Sequence, residues 1–553
     1  MDGRGQGVIF DLVAAQSPSY RGRGIARYSS DFVRAMVAHH PDLVAAVVLH
    51  PELEPPEGLE DLAEWLTSAP PWGTASVLHI SSAFEPEVPV RTFWPREAAA
   101  HGLLTAVTLY DLIPELFPGW YLEDPGLRRR WRCCREVVRV ADHVFTLSES
   151  ARRDAIGVLG LPSERVTVIG NAPAPSFRPA ESHQAAFEIA KAGVEDLEEG
   201  FIVYLGAFNP RKNVDGLVKA YASLPRDLIE AHQLVVVGEA PPLTRNHYLV
   251  MAKELGIDGR LLIPGFVPDT TLVSLYQSAA LSVYPSLYEG FGLPLVESMA
   301  CGAPTIGGDN SSLVEILPRE ARFEAEDPGA IAEAITKAFT DDAFRARLLA
   351  LTKREPPTWA EVADRAAGVF EEMVHGASRR PRRWRARPQL ALVGLPDDLA
   401  SALATLASCD SFALPAGDDS EAGTSAEPMG APDGALGRTG GDTGPALAGL
   451  LPWRTFDKLD PWRGGYDAVV LRPAGLEGEG LKALERLAAT RHTRIVALTS
   501  DTRQKNEQRA LSKLRRAGAE VLEAGGPPAE TARMVAEAIA KSPSLAARRA
   551  RPE

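Results

Sequence analysis

The chain has 553 residues, with 59 Lys and Arg against 73 Asp and Glu for a net charge of −14, and 45% of it is hydrophobic. At ~100–200 residues per domain, that length predicts three or four domains. The acidic balance argues against a general nucleic-acid binder, so no nucleic-acid partner is expected. Four cysteines (Cys133, Cys134, Cys301 and Cys409) are too few for a disulfide framework and have no zinc-like pairing with histidines; the adjacent Cys133 and Cys134 read as reduced and structural.

The N-terminal stretch MDGRGQGVIFDLVAAQ lacks the shape of a signal peptide, because its apolar run is short and Asp11 interrupts it. No run of about 20 apolar residues follows anywhere in the chain. The expectation is a cytoplasmic protein, at most peripheral at the inner face of a membrane.

Short apolar runs then alternate with amphipathic stretches. Strands are expected at residues 8–12, 44–49, 76–80, 104–109, 143–147 and 166–169, and again at 201–205, 233–237, 261–264, 281–284 and 303–306. Helices are expected at 24–39, 127–141, 213–224 and 272–280. Strands separated by helices imply βαβ units and parallel sheets. Periodicity fades over 173–194, which divides an N-terminal unit (1–180) from a second one (195–376). The second unit ends on a helical stretch, 359–374, expected to cross back onto the first. A basic, proline-punctuated run, SRRPRRWRARP, makes 377–388 a linker. It reads as a solvated tether, with contact to anionic lipid headgroups as the alternative. A third α/β pattern fills 389–541 around a Gly-, Ala- and Ser-rich insert at 416–449 that is expected to be disordered.

In the N-terminal unit, SPSYRGRGIARYSSDF puts Gly22 and Gly24 between the first strand and the first helix, a loop that would let a ligand approach the backbone. VTLYDLIPELFP puts Tyr110 and Asp111 at the carboxyl end of a strand, where open α/β sheets bind ligands. A turn or cap role for Asp111 is the alternative. His79 and His101 lack any partner pattern and read as structural.

In YLGAFNPRKNVDGLVKAY, a strand ends at Gly206, and Arg211 and Lys212 precede a helix. Fixed cations at a strand's carboxyl end suit a diphosphate, both in binding and as its charge grows on departure. A solvated basic face is the alternative. LLIPGFVPDTT places backbone groups around Val267 where a base edge could meet them, with Asp269 either in that loop or simply capping the next helix.

The most informative segment is YPSLYEGFGLPLVE, residues 284–297. A buried strand gives way to a loop with two glycines, Pro294 opens a helix, and Gly302 stops it. Backbone N–H groups at such a helix start seat a phosphate. Glu289 and Glu297 flank that seat. They would repel a phosphate if they faced it, whereas a carboxylate pairs well with a vicinal diol. A nucleotide sugar carries hydroxyls on both sides of its diphosphate, on the ribose and on the hexose. The alternative is that both acids only serve the helix dipole. No HExxH, paired Cys/His or strand-end DxD is present, so neither a metal site nor a bound cofactor is expected.

With these motifs the chain, over about residues 8–374, resembles the retaining glycosyltransferases of family 4, which have the GT-B fold. EGFGLPLVE looks like that family's E-x7-E motif. The resemblance implies that Glu297 holds the nucleotide ribose and Glu289 contacts the donor sugar, while Phe291, Gly292 and Leu293 line the sugar and phosphate site. It also implies that Arg211 and Lys212 grip the diphosphate, with Glu289, Lys212, Arg211 and Asp111 as the catalytic set. GFVPD, with Val267, matches the base-contacting region, and RGRGIARY resembles a glycine-rich acceptor-side loop. YDLIP resembles a strand-end element in which many members carry histidine where this chain has Tyr110. Residues 389–541 look like pieces of the first half of another such enzyme, without a second E-x7-E.

The expected fold is therefore α/β: two Rossmann-like domains facing a cleft, plus a third, smaller α/β domain. The implied activity is metal-independent, retaining transfer of a hexosyl group from a nucleoside diphosphate sugar to a saccharide or lipid-linked acceptor. Mannose from a GDP donor is preferred, in the synthesis of surface polysaccharide. A non-catalytic protein that binds a sugar nucleotide or a partner is the rival. On this reading Glu289→Ala folds normally and loses at least about tenfold in turnover.

Overall fold

The computed structural model describes residues 7–18, 24–50, 53–67, 69–84, 98 and 101–376, and beyond these the strands 389–393, 408–412, 468–471, 494–499 and 520–523 with short helical pieces between 510 and 538. Gly22, the linker at 377–388 and the insert at 416–449 lie outside the described residues.

Two six-stranded parallel sheets carry the fold. In the first, β1 (Val8–Asp11), β2 (Val44–Val48), β3 (Val77–Ile80), β4 (Leu104–Leu109), β5 (His143–Thr146) and β6 (Val166–Val168) lie in the order β2-β1-β3-β4-β5-β6. In the second, β7 (Ile202–Leu205), β8 (Leu234–Val237), β9 (Leu261–Gly265), β10 (Leu281–Tyr284), β11 (Thr305–Gly308) and β12 (Arg322–Phe323) lie in the order β12-β11-β10-β7-β8-β9. These strands are buried on both faces, so they read as continuous Val/Ile/Leu runs rather than as alternation. The last expected strand of this set, 303–306, lies two residues further on. Gly302 is left-handed (φ 92°) and ends the preceding helix, and strand geometry begins only after Pro304.

The helices that place the site are α1 (Gly24–His39), α2 (Pro125–Val140), α3 (Glu149–Leu159), α4 (His183–Gly193), α5 (Val214–Ala222), α6 (Asp269–Ser278), α7 (Leu293–Ala300), α8 (Leu313–Ile316) and α9 (Trp359–Gly376). Helix α4 was not anticipated. It fills the stretch where periodicity fades, because alanine carries much of its buried face: Ala186 and Ala190 are buried beside Phe187. It packs on α6 of the second domain, which therefore begins before residue 195. Helix α9 buries Val362, Ala363, Ala366, Ala367 and Phe370 in the core of the N-terminal domain, against α1 and β1.

A third parallel sheet has β13 (Gln389–Val393), β14 (Ser408–Phe412), β15 (Ala468–Leu471), β16 (Arg494–Thr499) and β17 (Glu520–Glu523) in the order β14-β13-β15-β16-β17. Its β14, SCDSF, is polar enough to have escaped the apolar-run criterion. Val470, Val496 and Leu498 share a buried cluster with Cys133, Cys134 and Val137 of α2, so the appended sheet shares a core with the N-terminal domain. Cys133, Cys134 and Cys301 are buried. His79 is buried among Phe10, Phe32, Phe145 and Phe370 and shares a hydrogen bond with Thr108 (2.9 Å). Burial lowers its pKa to about 3, which fits a structural role.

Candidate functional site

The order of the second sheet reverses between β10 and β7, which pair directly. Loops leaving their carboxyl ends therefore diverge around a crevice, the place where open α/β sheets take ligands. After β7 the chain passes Gly206 and makes a single 3₁₀ turn, Pro210–Lys212, with Asn209 capping it from its side chain (3.1 Å to the Lys212 N–H). Asn213 then takes a left-handed conformation (φ 53°), caps α5, and donates to the Ala325 carbonyl (2.6 Å). This clamp fixes where Arg211 and Lys212 point. After β10, Tyr284 donates to the Pro294 carbonyl (2.8 Å) and shares a hydrogen bond with Tyr276 (2.9 Å), which holds the start of α7 in place.

The two loops meet at Glu289. Lys212 Nζ lies 2.6 Å from one of its carboxylate oxygens and Arg211 Nη1 lies 3.0 Å from the other. Arg211 also donates to the Tyr288 carbonyl and, through Nε, to the Tyr121 hydroxyl (3.2 Å). All three charged side chains are largely buried. Burial works to raise the Glu289 pKa, but the two cations outweigh it and hold the carboxyl at about 2. Burial also lowers the pKa of Lys212, with Glu289 opposing it.

This changes one expectation. Glu289→Ala would strand two buried cations, a change that costs about 3–5 kcal/mol when a buried pair is broken, so the variant is not expected to fold as the native chain does. The glutamate backbone is held as well. Its N–H donates to Ser311 Oγ (2.8 Å), and Ser312 Oγ donates to its carbonyl (3.0 Å).

Two glycines make the loop possible. A Cβ on Gly290 would sit 2.8 Å from Asp111 Cβ and from the Tyr110 carbonyl oxygen, so this residue lets the loop lie directly on the N-terminal domain. Tyr110 and Asp111 are thereby brought against the glycine loop that carries Glu289. Asp111 accepts from the Ile113 N–H (3.0 Å), which is its turn role. Burial raises its pKa, with the nearby Arg211 opposing. Gly292, at φ 91°, stands at the N-cap of α7, where no side chain caps the helix. No side chain therefore takes the first N–H of α7, on Leu293 beside Phe291 and Gly292, and such uncapped groups are ones an anion could meet.

Glu297 lies one helical turn further and differs in every respect. It is 3% exposed, and no hydrogen bond reaches its carboxylate among the described residues. Its charged neighbour is Arg27 Nη1 at 3.6 Å, from α1 of the opposite domain. Burial raises its pKa to about 7, with Arg27 opposing and Asp269 adding to the rise. Arg27 also clasps Asp269 through Nη2, at 2.8 and 3.0 Å. Asp269 is the first residue of α6 and makes no cap, so its side chain is spent on the cross-cleft pair. Val267 of the preceding loop is buried, whereas Phe266 is exposed. Gly24 is exposed at the start of α1, one turn before Arg27.

Several contacting residues escaped sequence reasoning. Ser148 Oγ donates to the Gly290 carbonyl (2.6 Å), Tyr288 donates to Asp154 (2.6 Å), and the Glu315 carboxylate accepts from the Glu149 and Ser150 N–H groups (2.9 and 2.7 Å) at the start of α3. Only Ser148 gave a local signal, as the N-cap of α3 in TLSES. Its second contact depends on which domain faces it. Ser148, Ser312 and Glu315 also border a cavity of about 320 Å³ between α7 and the segment leading into α9.

Residues 186–354 match the model of glycosyl transferases group 1. The chain is 33% identical to the serotype-specific mannosyltransferase WbdA of Escherichia coli over 277 residues, which are 49% of this chain and 34% of that one. It is 30% identical to the O-antigen chain mannosyltransferase B of Escherichia coli over 249 residues, 44% of this chain and 64% of that one. The match thus spans about a third of WbdA's length. Among solved structures, Anabaena HepE in complex with UDP and glucose aligns with a TM-score of 0.51 at 15% identity, over 66% of this chain and 99% of that one. That likeness is one of fold, and the two-sheet architecture is GT-B. No helix among the described residues is long and apolar enough to cross a membrane.

Proposed function

We propose that the group 1 glycosyltransferase domain, closed against the N-terminal domain, moves a hexosyl group, preferably mannosyl, from a nucleoside diphosphate sugar to a saccharide or lipid-linked acceptor with retention, in the synthesis of surface polysaccharide. One observation carries the reading. Within a single loop and helix, an uncapped helix start lies between a carboxylate bound to two cations and a buried carboxylate with no hydrogen bond. Such a row fits a hexose, a diphosphate and a ribose in turn. Arg211, Lys212 and the α7 N-terminus would meet the charge that grows on the departing diphosphate, which needs no divalent ion. Asp111 stands beside the sugar end from the acceptor side. HepE is a fold neighbour bound to UDP and glucose, and the Escherichia coli relatives are named as mannosyltransferases; both agree with a sugar-nucleotide donor. The appended sheet is read as a stabilising unit on the acceptor domain.

The test is a panel of GDP-, UDP- and ADP-sugars, read first as ligand-induced thermal stabilisation and then as release of nucleoside diphosphate with mannoside acceptors and lipid-linked acceptors. The expected result is stabilisation by GDP-mannose together with turnover that survives EDTA. Stabilisation with no turnover on any acceptor would leave the non-catalytic binder as the better reading.

A further inference from the structure

The residue facing Glu297 has no role in the reading above. Arg27 belongs to the N-terminal domain, yet its guanidinium spans the cleft to two carboxylates of the donor domain. The groups facing Glu297 are Arg27 from α1, Asp269 and the phenol of Tyr276 from α6, the phenol of Tyr284 from β10, and the Cys301 thiol just past its own helix. Of these, Arg27 alone is cationic. Asp269 is 62% exposed and its pair with Arg27 is worth little by itself. Glu297 is buried, and there a single neighbouring charge decides whether a carboxyl is ionised.

We propose that Arg27 is a donor-positioning residue: held across the cleft by Asp269, it keeps the Glu297 carboxylate charged and ready to accept both hydroxyls of the nucleotide's ribose. The proposal rests on the donor reading given above. An ionised carboxylate offers two acceptor oxygens to a diol, whereas its protonated form spends one oxygen as a donor. Burial alone pushes Glu297 toward the protonated form, and Asp269 pushes the same way. Arg27 opposes that push from the facing domain, so the approach of the two domains and readiness to hold the nucleoside are linked. The bare carboxylate is the second observation: a buried acceptor pair that receives no hydrogen bond among the described residues is satisfied when a ligand supplies a donor.

The experiment measures binding of GDP, with UDP and ADP in parallel, to the full chain by calorimetry from pH 6 to 9, for the native protein, Arg27→Gln, Arg27→Lys and Glu297→Gln. Affinity should fall as pH drops through the Glu297 pKa. In Arg27→Gln that midpoint should move upward by about one pH unit, with affinity at pH 7.5 reduced several-fold. Arg27→Lys should restore most of both. In turnover assays with the donor, KM should rise more than kcat falls. Adding Arg27→Gln to Glu297→Gln should change affinity little, since the carboxylate through which Arg27 acts is gone. An Arg27→Gln variant with unchanged affinity and midpoint, or one that loses affinity equally at every pH, overturns the role of Arg27 and leaves the donor reading standing. A native chain that binds none of the three nucleotides overturns both.

Discussion

The two ends of the 289–297 segment place the same side chain in opposite physical states. Glu289 is buried with two cations in contact and stays ionised down to about pH 2. Glu297 is buried with one cation at 3.6 Å and no hydrogen bond, and titrates near 7. Burial alone would raise both. The difference is where the counter-charges come from. Arg211 and Lys212 sit on the neighbouring strand loop of the same domain, so the Glu289 cluster is built when the domain folds. Arg27 comes from the other domain, so the Glu297 site draws on both domains. On the reading proposed above, the first would be the sugar end, fixed in advance, and the second the nucleoside end, completed by the facing domain, an arrangement suited to excluding water until a donor is seated.

The largest expected effect comes from breaking the fixed end. Glu289→Gln keeps the shape and removes the charge. It should cost at least about tenfold in turnover and about 3 kcal/mol of stability, since it leaves buried positive charge unbalanced. Urea melts and steady-state rates on one preparation separate the two losses. Turnover equal to that of the native chain would assign the cluster to structure alone.

At the other end the sign reverses. Below the ordinary glutamate pKa of 4.5, Glu297 is protonated in both folded and unfolded chains. Between there and about 7 the folded protein keeps the proton that the unfolded chain has released, so this group makes stability fall as pH rises across that window and leaves it level above. Glu297→Gln should therefore be more stable than the native chain at pH 8, by up to about 3 kcal/mol, and equal to it near pH 4, while losing nucleotide affinity. Parallel melts at the two pH values check this. A variant less stable at pH 8 would mean that Glu297 is already satisfied without ligand. Glu289 behaves in the opposite way: its contribution is present above the ordinary glutamate pKa and is lost only as pH falls toward about 2.

Much of this was legible in the chain itself, for reasons that differ from residue to residue. The parallel strands of both domains announced themselves as apolar runs because both faces are buried. The glycine loop, Pro294 and the two glutamates were legible because a helix start has its own chemistry. The pairing of Glu289 with Arg211 and Lys212 was not, although all three were singled out. The carboxylate was expected to turn away from a phosphate, and it turned to the nearest cations, which only the adjacency of β7 and β10 brings within reach. Helix α4 was missed because alanine does the packing. Arg27, Asp154, Tyr288 and Glu315 were missed because each acts across the cleft, and no local pattern encodes which surface the opposite domain will present. The same cause hid the second contact of Ser148.

The smallest expected effect tests the closing side of the same comparison. Glu315, on a single helical turn of the second domain, accepts the first two N–H groups of α3 in the N-terminal domain. A carboxylate at a helix N-terminus is favoured by the dipole and satisfies donors that would otherwise face the cleft. Glu315→Ala should thus weaken the closed arrangement by about 1 kcal/mol without touching either glutamate of the 289–297 segment. Small-angle scattering of the ligand-free chain should show a more open particle, and addition of donor should restore the compact one. Turnover at saturating donor should stay near native while KM rises a few-fold. A fall in kcat with no change in shape would mean that Glu315 supports the loop at Ser311–Ser312, which holds Glu289. That outcome would move Glu315 from the closing side of the comparison to the fixed one.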